Sequence, residues 1–107
     1  MFSIIIPTFN NLEYLKKCIE SIKKNSLYEH EIIPHVNEGS DGTLDFLKDN
    51  LFNYTHTKHN SGICTGMNMA ARKSHTDYLL YAHDDFYFCP NWDSVLKKEM
   101  DKIGHNK

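Results

Sequence analysis

Cysteine, glycine and proline are all scarce in this sequence. It has three cysteines, five glycines and three prolines among 107 residues. The cysteines, Cys18, Cys64 and Cys89, are odd in number and far apart, which argues against a disulfide framework or a zinc knuckle. No internal repeat or low-complexity segment is present, so a collagen-like or repeat fold is not expected. We interpret the cysteines as reduced thiols.

Charge of one sign and long apolar runs are also lacking. Lys and Arg number 12 and Asp and Glu 14, which gives a net charge of −2 and a pI near 6.4. This balance argues against a broad nucleic-acid-binding surface, which would be strongly basic. The apolar run at residues 2–6 stops at Pro7 and has no basic residue before it, so it is too short for a signal peptide or a membrane span. These features predict a cytoplasmic protein that does not bind nucleic acid.

The sequence does contain a regular alternation of strand and helix patterns. Its 40% hydrophobic and 24% charged residues suit one globular domain. The patterns predict strands at residues 2–6, 31–36, 54–57 and 78–82, and helices over 12–24, 44–51, 63–74 and from 91 onward. Such alternation indicates a parallel sheet with right-handed crossovers. We expect an α/β fold of three α/β/α layers with a mostly parallel, Rossmann-like sheet of about four strands.

Three details of these elements lead to specific expectations. Pro34 lies inside the second strand and removes a ladder donor, so it indicates an edge position, a bulge or a strand shorter than it looks. The fourth strand is apolar throughout, which is typical of a strand buried on both faces. We expect the first and fourth strands to be adjacent at the centre of the sheet. Asn10 or Asn11 is predicted to cap the first helix.

Polar or glycine-bearing segments follow all four predicted strands. They are residues 7–10 (Pro-Thr-Phe-Asn), 37–41 (Asn-Glu-Gly-Ser-Asp), 60–62 (Asn-Ser-Gly) and 83–85 (His-Asp-Asp). Ligands of open parallel sheets bind at the carboxyl ends of the strands. We therefore expect a binding site at this edge of the sheet.

The acidic pair Asp84 and Asp85 is the sharpest feature of that edge. Two adjacent carboxylates repel each other, and a cation or several donors nearby would hold both ionised. Oxygen ligands of this kind suit Mg²⁺ or Mn²⁺. The alternative is that one aspartate caps a turn or the next helix while the other is solvated.

The other strand ends also allow two interpretations. Glu38 and Asp41 could accept hydrogen bonds from a ribose or a base, or Asp41 could simply cap the next helix. The Asn60–Gly62 loop could face a phosphate, or Asn60 could be a cap. No GxGxxG fingerprint, P-loop, zinc-ligand spacing or GxSxG turn is present. NAD binding, Walker-type nucleotide hydrolysis, a zinc centre and a serine nucleophile are therefore unsupported. The aromatic residues at 86–88 and Trp92 are expected mostly to pack under the sheet edge, with a wall against a sugar or base as the alternative.

The order of these motifs resembles that of family 2 glycosyltransferases of the GT-A fold. Residues 3–11 (SIIIPTFNN) resemble the opening of the family, and residues 31–43 (EIIPHVNEGSDGT) its second strand and acid-acid-Gly-Ser turn. The Asn60–Gly62 loop with Asn68, and residues 78–85 (YLLYAHDD), resemble its Asn-x-Gly element and its Asp-x-Asp strand. The resemblance covers nearly the whole chain.

This resemblance implies a function and a set of site residues. The chain would be a single nucleotide-diphospho-sugar-binding domain over residues 1–107 that ends before the acceptor-binding half. It would transfer a glycosyl group from a nucleotide-diphosphate sugar, a UDP-sugar in the first instance, to an acceptor hydroxyl. Asp85 would hold Mn²⁺ or Mg²⁺, and the catalytic base stays unassigned. The nucleotide would be bound by Pro7, Thr8, Phe9, Glu38, Asn60, Gly62 and Asp84.

Other classes of function stay open at this point. A non-catalytic nucleotide-binding or assembly module could keep the same scaffold and lack the acceptor half. An exposed sheet edge would then favour a homo-oligomer or a partner chain that supplies the missing half. A receiver-like signalling domain is disfavoured because it needs acidic residues where this chain has Pro7, Thr8 and Phe9.

Overall fold

The computed structural model describes residues 2–59 and 62–104. Strands and helices alternate along it as the sequence predicts. Their bounds are β1 (Phe2–Phe9), α1 (Leu12–Asn25), β2 (Glu31–Asn37), α2 (Thr43–Asp49), β3 (Thr55–Thr57), α3 (Ile63–Ala71), β4 (Tyr78–Tyr81) and α4 (Trp92–Gly104).

All four strands pair in parallel in one sheet of order β3-β2-β1-β4. The long central strand β1 pairs with β2 from Ser3 to Phe9 and with β4 from Phe2 to Ile5. β3 pairs with only the last three residues of β2. The predicted α/β class and the adjacency of the first and fourth strands are confirmed.

Alternate residues of β1 build cores on the two faces of the sheet. Phe2, Ile4 and Ile6 pack with Leu15, Cys18, Ile19 and Ile22 of α1, and Trp92, Leu96 and Met100 of α4 lie against the same cluster. Ile5 and Ile33 pack against Ala70 of α3 on the opposite face. Each fully buried isoleucine contributes roughly 1.5–3 kcal/mol. Helices therefore cover both faces, as a three-layer fold requires.

Two prolines lie inside strands. The prediction that the first strand ends at Pro7 was wrong, whereas Pro34 lies at a local edge position, one of the three predicted alternatives, because β3 pairs with β2 only from His35. β1 does not stop at Pro7 but continues to Phe9, and β2 is an interior strand in which Pro34 pairs with Ile6. The physical reason is the stagger of the sheet. β4 pairs with β1 only as far as Ile5, and β3 pairs with β2 only from His35. Each proline thus stands where its strand is paired on one side, so a missing N–H can face away from the ladder.

The prediction that the fourth strand is central and buried was also wrong. Among the described residues β4 is an edge strand, and Tyr78, Leu79 and Tyr81 are 55%, 42% and 47% exposed. Leu80 packs against the α1 core, and the ring of Tyr78 contacts Phe2 edge-on. An apolar run has the same composition in a buried strand and in an edge strand, so composition could not separate the two.

A buried polar pair fastens α4 to the amino-terminal end of the sheet. Asp93 lies in the first turn of α4, and its Oδ2 is 2.8 Å from Nε2 of His30. Both side chains are almost completely excluded from solvent. The backbone N–H of Phe2 donates to Nδ1 of His30, so Nε2 carries the proton that is given to Asp93. This contact joins three elements that lie far apart in the sequence.

No helix within residues 2–59 and 62–104 is long and apolar enough to cross a bilayer.

Candidate functional site

The carboxyl ends of the strands surround an open pocket of about 370 Å³. This is where a parallel sheet places a ligand, since the chain turns away from the sheet at these points. Five of the predicted site residues line the pocket, and sequence reasoning missed three others. The lining residues are Pro7, Thr8, Phe9, Gly62 and Asp84, together with Asn11, Asn37 and His83. Asn37 and His83 immediately follow predicted strands, within the polar segments expected at this edge, whereas Asn11 was considered only as a helix cap.

A hydrogen bond joins the two sides of the pocket. Thr8 is almost fully buried at the end of β1, and its Oγ1 donates to Oδ2 of Asp84 at 2.8 Å. Asp84 belongs to the turn after β4, 76 positions further along the chain. The bond fixes one carboxylate of the acidic pair against the end of the central strand.

The buried thiol beneath this turn is inert. Cys18 donates to the carbonyl oxygen of His83, with 3.6 Å between sulfur and oxygen. Burial raises the pKa of Cys18 to about 12, and the nearby charges of Asp84 and Asp85 act in the same direction. The thiol therefore stays protonated at neutral pH, and a protonated thiol is a poor nucleophile.

Asp85 lies beside the pocket with its side chain exposed. In the part of the chain that the structure describes, no three His, Cys, Asp or Glu side chains converge as a complete metal site would require. Two consecutive carboxylates, Asp84 and Asp85, still suit a metal site at a nucleotide. Mg²⁺ and Mn²⁺ at such sites are bound by one or two carboxylates together with phosphate oxygens and water. The donor set therefore fits a hard divalent cation shared with a diphosphate.

The turn after β2 has an unusual backbone. Glu38 has φ +63°, and Gly39 and Gly42 have φ +80° and +94°. A Cβ on Gly39 would lie 2.7 Å from Cγ1 of Val36, so this position requires glycine for space as well as for conformation. The backbone N–H of Glu38 donates to the carbonyl oxygen of Thr57. The Glu38 side chain is exposed, and it is not among the described residues that line the pocket.

One carboxylate joins the starts of two helices at this turn. Oδ2 of Asp41 accepts the backbone N–H of Leu12, the first residue of α1, and Oδ1 accepts that of Thr43, the first residue of α2. Burial alone would raise the pKa of Asp41, but these bonds and one from the Thr43 hydroxyl lower it overall. Asn11 is the N-cap residue of α1, as predicted, and its carbonyl oxygen accepts the backbone N–H of Leu15, but among the described residues its side chain makes no capping bond. The Asp41 carboxylate caps α2, which was one of the two roles predicted for it. It also caps α1, which was not predicted.

Asn10 completes the connection between the two loops. Its Oδ1 accepts the backbone N–H of Ser40 at 2.9 Å, and its own φ is +45°. Together with Asp41, it ties the loop after β1 to the loop after β2. The two backbones are therefore held in one arrangement at the pocket rim.

The aromatic residues after the acidic pair divide into two groups. Phe88 and Trp92 pack against the α1 core, as predicted, while Phe86 and Tyr87 are exposed. All four aromatic residues, together with Leu96, line an apolar groove of about 440 Å³. Another cavity, of about 380 Å³, lies at the amino-terminal end of β2 beside His30. We take the strand-end pocket as the candidate site, because among the described residues it brings Asp84 together with residues that end or follow the other three strands.

Asn60, the remaining predicted site residue, lies outside the described residues. Gly62 directly precedes α3 with φ +85° and lines the pocket.

The sequence model described as Glycosyl transferase family 2 matches residues 3–106. The chain belongs to this family. Two curated relatives are the uncharacterized glycosyltransferase YfnE of Bacillus subtilis, 34% identical over 88 residues, and an uncharacterized glycosyltransferase of Rickettsia bellii, 30% identical over 105 residues. These alignments cover 78% and 94% of this family 2 chain but only 22% and 15% of the relatives.

Solved structures confirm the GT-A-type architecture. A crystal structure of S. aureus TarS residues 1–349 in complex with UDP superposes with a TM-score of 0.81 at 20% identity, over 94% of this chain and 32% of TarS 1–349. The mannosyltransferase PcManGT of Pyrobaculum calidifontis, in complex with GDP-Man and Mn²⁺, superposes with a TM-score of 0.75 at 16% identity, over 88% of this chain and 30% of that one. The family 2 chain thus spans about a third of each matched structure.

Proposed function

We propose that residues 1–107 form the nucleotide-sugar-binding domain of a glycosyltransferase. The pocket at the carboxyl edge of the sheet would bind a nucleoside diphosphate sugar, with a UDP-sugar as the first candidate. The observation that carries this proposal is the Thr8–Asp84 hydrogen bond, because it brings the loop after β1 and the acidic turn to one pocket.

The site residues predicted from the sequence would divide among the parts of a nucleoside diphosphate. Pro7, Thr8 and Phe9 would contact the base, and the Phe9 ring, 44% exposed, offers a face on which a base can stack. Glu38 and Asp84 would accept hydrogen bonds from the ribose. Asn60 and Gly62 would lie along the phosphates.

Asp85 would hold the divalent cation together with the diphosphate oxygens. A bound Mn²⁺ or Mg²⁺ would neutralise charge that develops on the leaving nucleotide. The neighbours support this role in general terms, since TarS was solved with UDP and PcManGT with GDP-Man and Mn²⁺. The acceptor would be a hydroxyl group, and no residue is assigned as its base.

Nucleotide-dependent stabilisation tests the proposal directly. UDP with Mn²⁺ at a hundredfold excess over Kd is expected to stabilise the fold by about 2.7 kcal/mol. UDP, GDP and each metal alone should be compared by thermal unfolding and by calorimetric titration. No shift with any nucleotide, with or without metal, contradicts the proposal.

A matched pair of aspartate variants tests the metal assignment. Asp85→Ala is expected to remove the Mn²⁺ dependence of nucleotide binding while the fold survives, since its side chain is exposed. Asp77→Ala removes another exposed carboxylate, just before β4 at the opposite end of that strand, and should bind as the wild type does. Equal metal dependence in both variants argues against Asp85 as a ligand.

Transfer is tested separately from binding. Incubation with a UDP-sugar and Mn²⁺ should release UDP, with water or an added saccharide as the acceptor. Tight nucleotide binding with no UDP release would assign the chain to the second candidate, a non-catalytic nucleotide-binding module.

A further inference from the structure

A fully buried histidine lies beneath the nucleotide pocket. His35 is in β2, and its ring is held by two threonine hydroxyls of β3. Nδ1 is 2.7 Å from Oγ1 of Thr55, and Nε2 is 3.3 Å from Oγ1 of Thr57. Family membership and sequence pattern gave no role to this side chain.

The hydrogen-bond chain has one consistent direction. The Thr57 hydroxyl donates to Oδ1 of Asn37 at 3.1 Å, so its single proton is committed there. The Thr57 oxygen can then only accept from His35, which places the ring proton on Nε2. Nδ1 accordingly accepts from Thr55. The network assigns a neutral imidazole with the proton on Nε2.

Packing locks the ring in this position. A Cβ on Gly66 of α3 would lie 2.5 Å from Cδ2 of His35, so the helix backbone closes over the ring. Burial is the main cause that lowers the pKa of His35 below its ordinary value, and the charge of His56 acts in the same direction, whereas contact with Asn37 raises it. The ring is therefore neutral at neutral pH and has little room to rotate.

We propose that His35 is a positioning residue for nucleotide binding, which acts through Thr57 on the amide of Asn37. Asn37 ends β2, is 4% exposed and contributes to the pocket wall. With its oxygen held by Thr57, the amide keeps one rotamer and one orientation at the pocket. This inference rests on the proposed function, because it concerns how the same pocket is held ready for a nucleoside.

Two matched variants separate positioning from stability. Thr57→Val and Thr55→Val each remove one hydroxyl from β3, keep a β-branched side chain and leave one nitrogen of His35 without its partner. Thr57→Val removes the hydroxyl that donates to Oδ1 of Asn37, whereas Thr55→Val leaves that bond in place. We expect similar falls in melting temperature for both variants. Nucleotide affinity, measured where both are fully folded, should fall about tenfold in Thr57→Val and less than twofold in Thr55→Val.

Nitrogen NMR distinguishes a positioning role of His35 from a purely structural one, because it reports the tautomer of the ring and the signals of the Asn37 amide. The ligand-free wild type should show the Nε2–H tautomer of His35, and the side-chain amide signals of Asn37 should shift in Thr57→Val but not in Thr55→Val. An Nδ1–H tautomer overturns the inference. Equal loss of affinity in both variants, with a wild type that binds UDP, overturns the inference and leaves the proposed function intact. A wild type that binds neither UDP nor GDP overturns both.

Discussion

Removal of the buried carboxylate of Asp93 should cost a large part of the stability of this domain. Four donors converge on it. Oδ1 accepts the backbone N–H groups of Leu27 and Ser94 at 3.0 Å each, and Oδ2 accepts that of Tyr28 and Nε2 of His30 at 2.8 Å each. Four is about the full capacity of a carboxylate. Three of these donors belong to the segment between α1 and β2, so the contact is tertiary.

The magnitude follows from the donors left unpaired. Each buried donor that loses its partner costs about 1–3 kcal/mol, and the neutral His30 ring is one of the four donors. We therefore expect Asp93→Ala to lower the free energy of unfolding by about 3–5 kcal/mol and Asp93→Asn by about 2–3 kcal/mol. A domain of this size has roughly 5–15 kcal/mol in total. The alanine variant should thus be close to the limit of folding.

Urea unfolding at pH 7 measures the effect, because the carboxylate is ionised there. Burial would raise the pKa of Asp93, but hydrogen bonds from the backbone of Leu27 and Tyr28 and from His30 lower it below 3.8 overall. Its contribution is therefore complete above pH 3.8 and is lost as the pH falls through the lower folded value. Trp92 fluorescence and far-UV circular dichroism should report one coincident transition.

Asp101→Asn is the matched control on the same helix. Asp101 is exposed and pairs with Lys97 across one turn, so its loss should cost less than about 0.5 kcal/mol. The reasoning is refuted if Asp93→Ala costs less than about 1 kcal/mol, or no more than this control.

Three further predictions concern packing, pH and helix capping. Gly66→Ala should destabilise the fold by about 1–3 kcal/mol in thermal unfolding, because its Cβ would meet the His35 ring; an unchanged melting temperature would show that the ring can move. The free energy of unfolding should fall as the pH drops below 6.5, by at most about 1.4 kcal/mol per pH unit, because His35 can take up a proton in the unfolded chain but not when it is buried. His35→Gln should reduce this pH dependence. An equally steep dependence in that variant would show that other groups cause it. Asp41→Ala should cost about 1–2 kcal/mol in urea unfolding because two helices lose their caps, and Asp49→Ala, at the end of α2, should cost clearly less.

Much of the site could be predicted because it depends on position along the chain. Pro7, Thr8, Phe9, Gly62 and Asp84 each lie at the end of a β-strand or the start of the following helix, and parallel strands bring these positions to one edge whatever the side chains are. Asn37 and His83 occupy equivalent positions, but nothing in their residue type separated them from ordinary loop residues. The binding roles of all the predicted site residues, including Glu38 and Asp85, stay predictions.

Partners across the fold could not be predicted from the sequence. Asp41 reaches back 29 positions to cap α1, and Asp93 reaches back 63 positions to His30. A carboxylate near a helix start looks the same in sequence whether it caps its own helix or another one. Only the folded chain decides which donors lie within 3 Å of it.

The sequence by itself determined the α/β class, the order of the elements and the polar edge of the sheet. It did so because apolar periodicity and strand-end residues are local properties of the chain. Four short motifs in a fixed order were enough to identify the family. The tertiary structure decided how the strands are staggered and which of them lies at the edge. That stagger lets Pro7 and Pro34 stand inside strands, and the edge position leaves Tyr78 and Tyr81 exposed. The pairing of strands depends on residues that are far apart in the chain, so it cannot be read from the composition of a single strand.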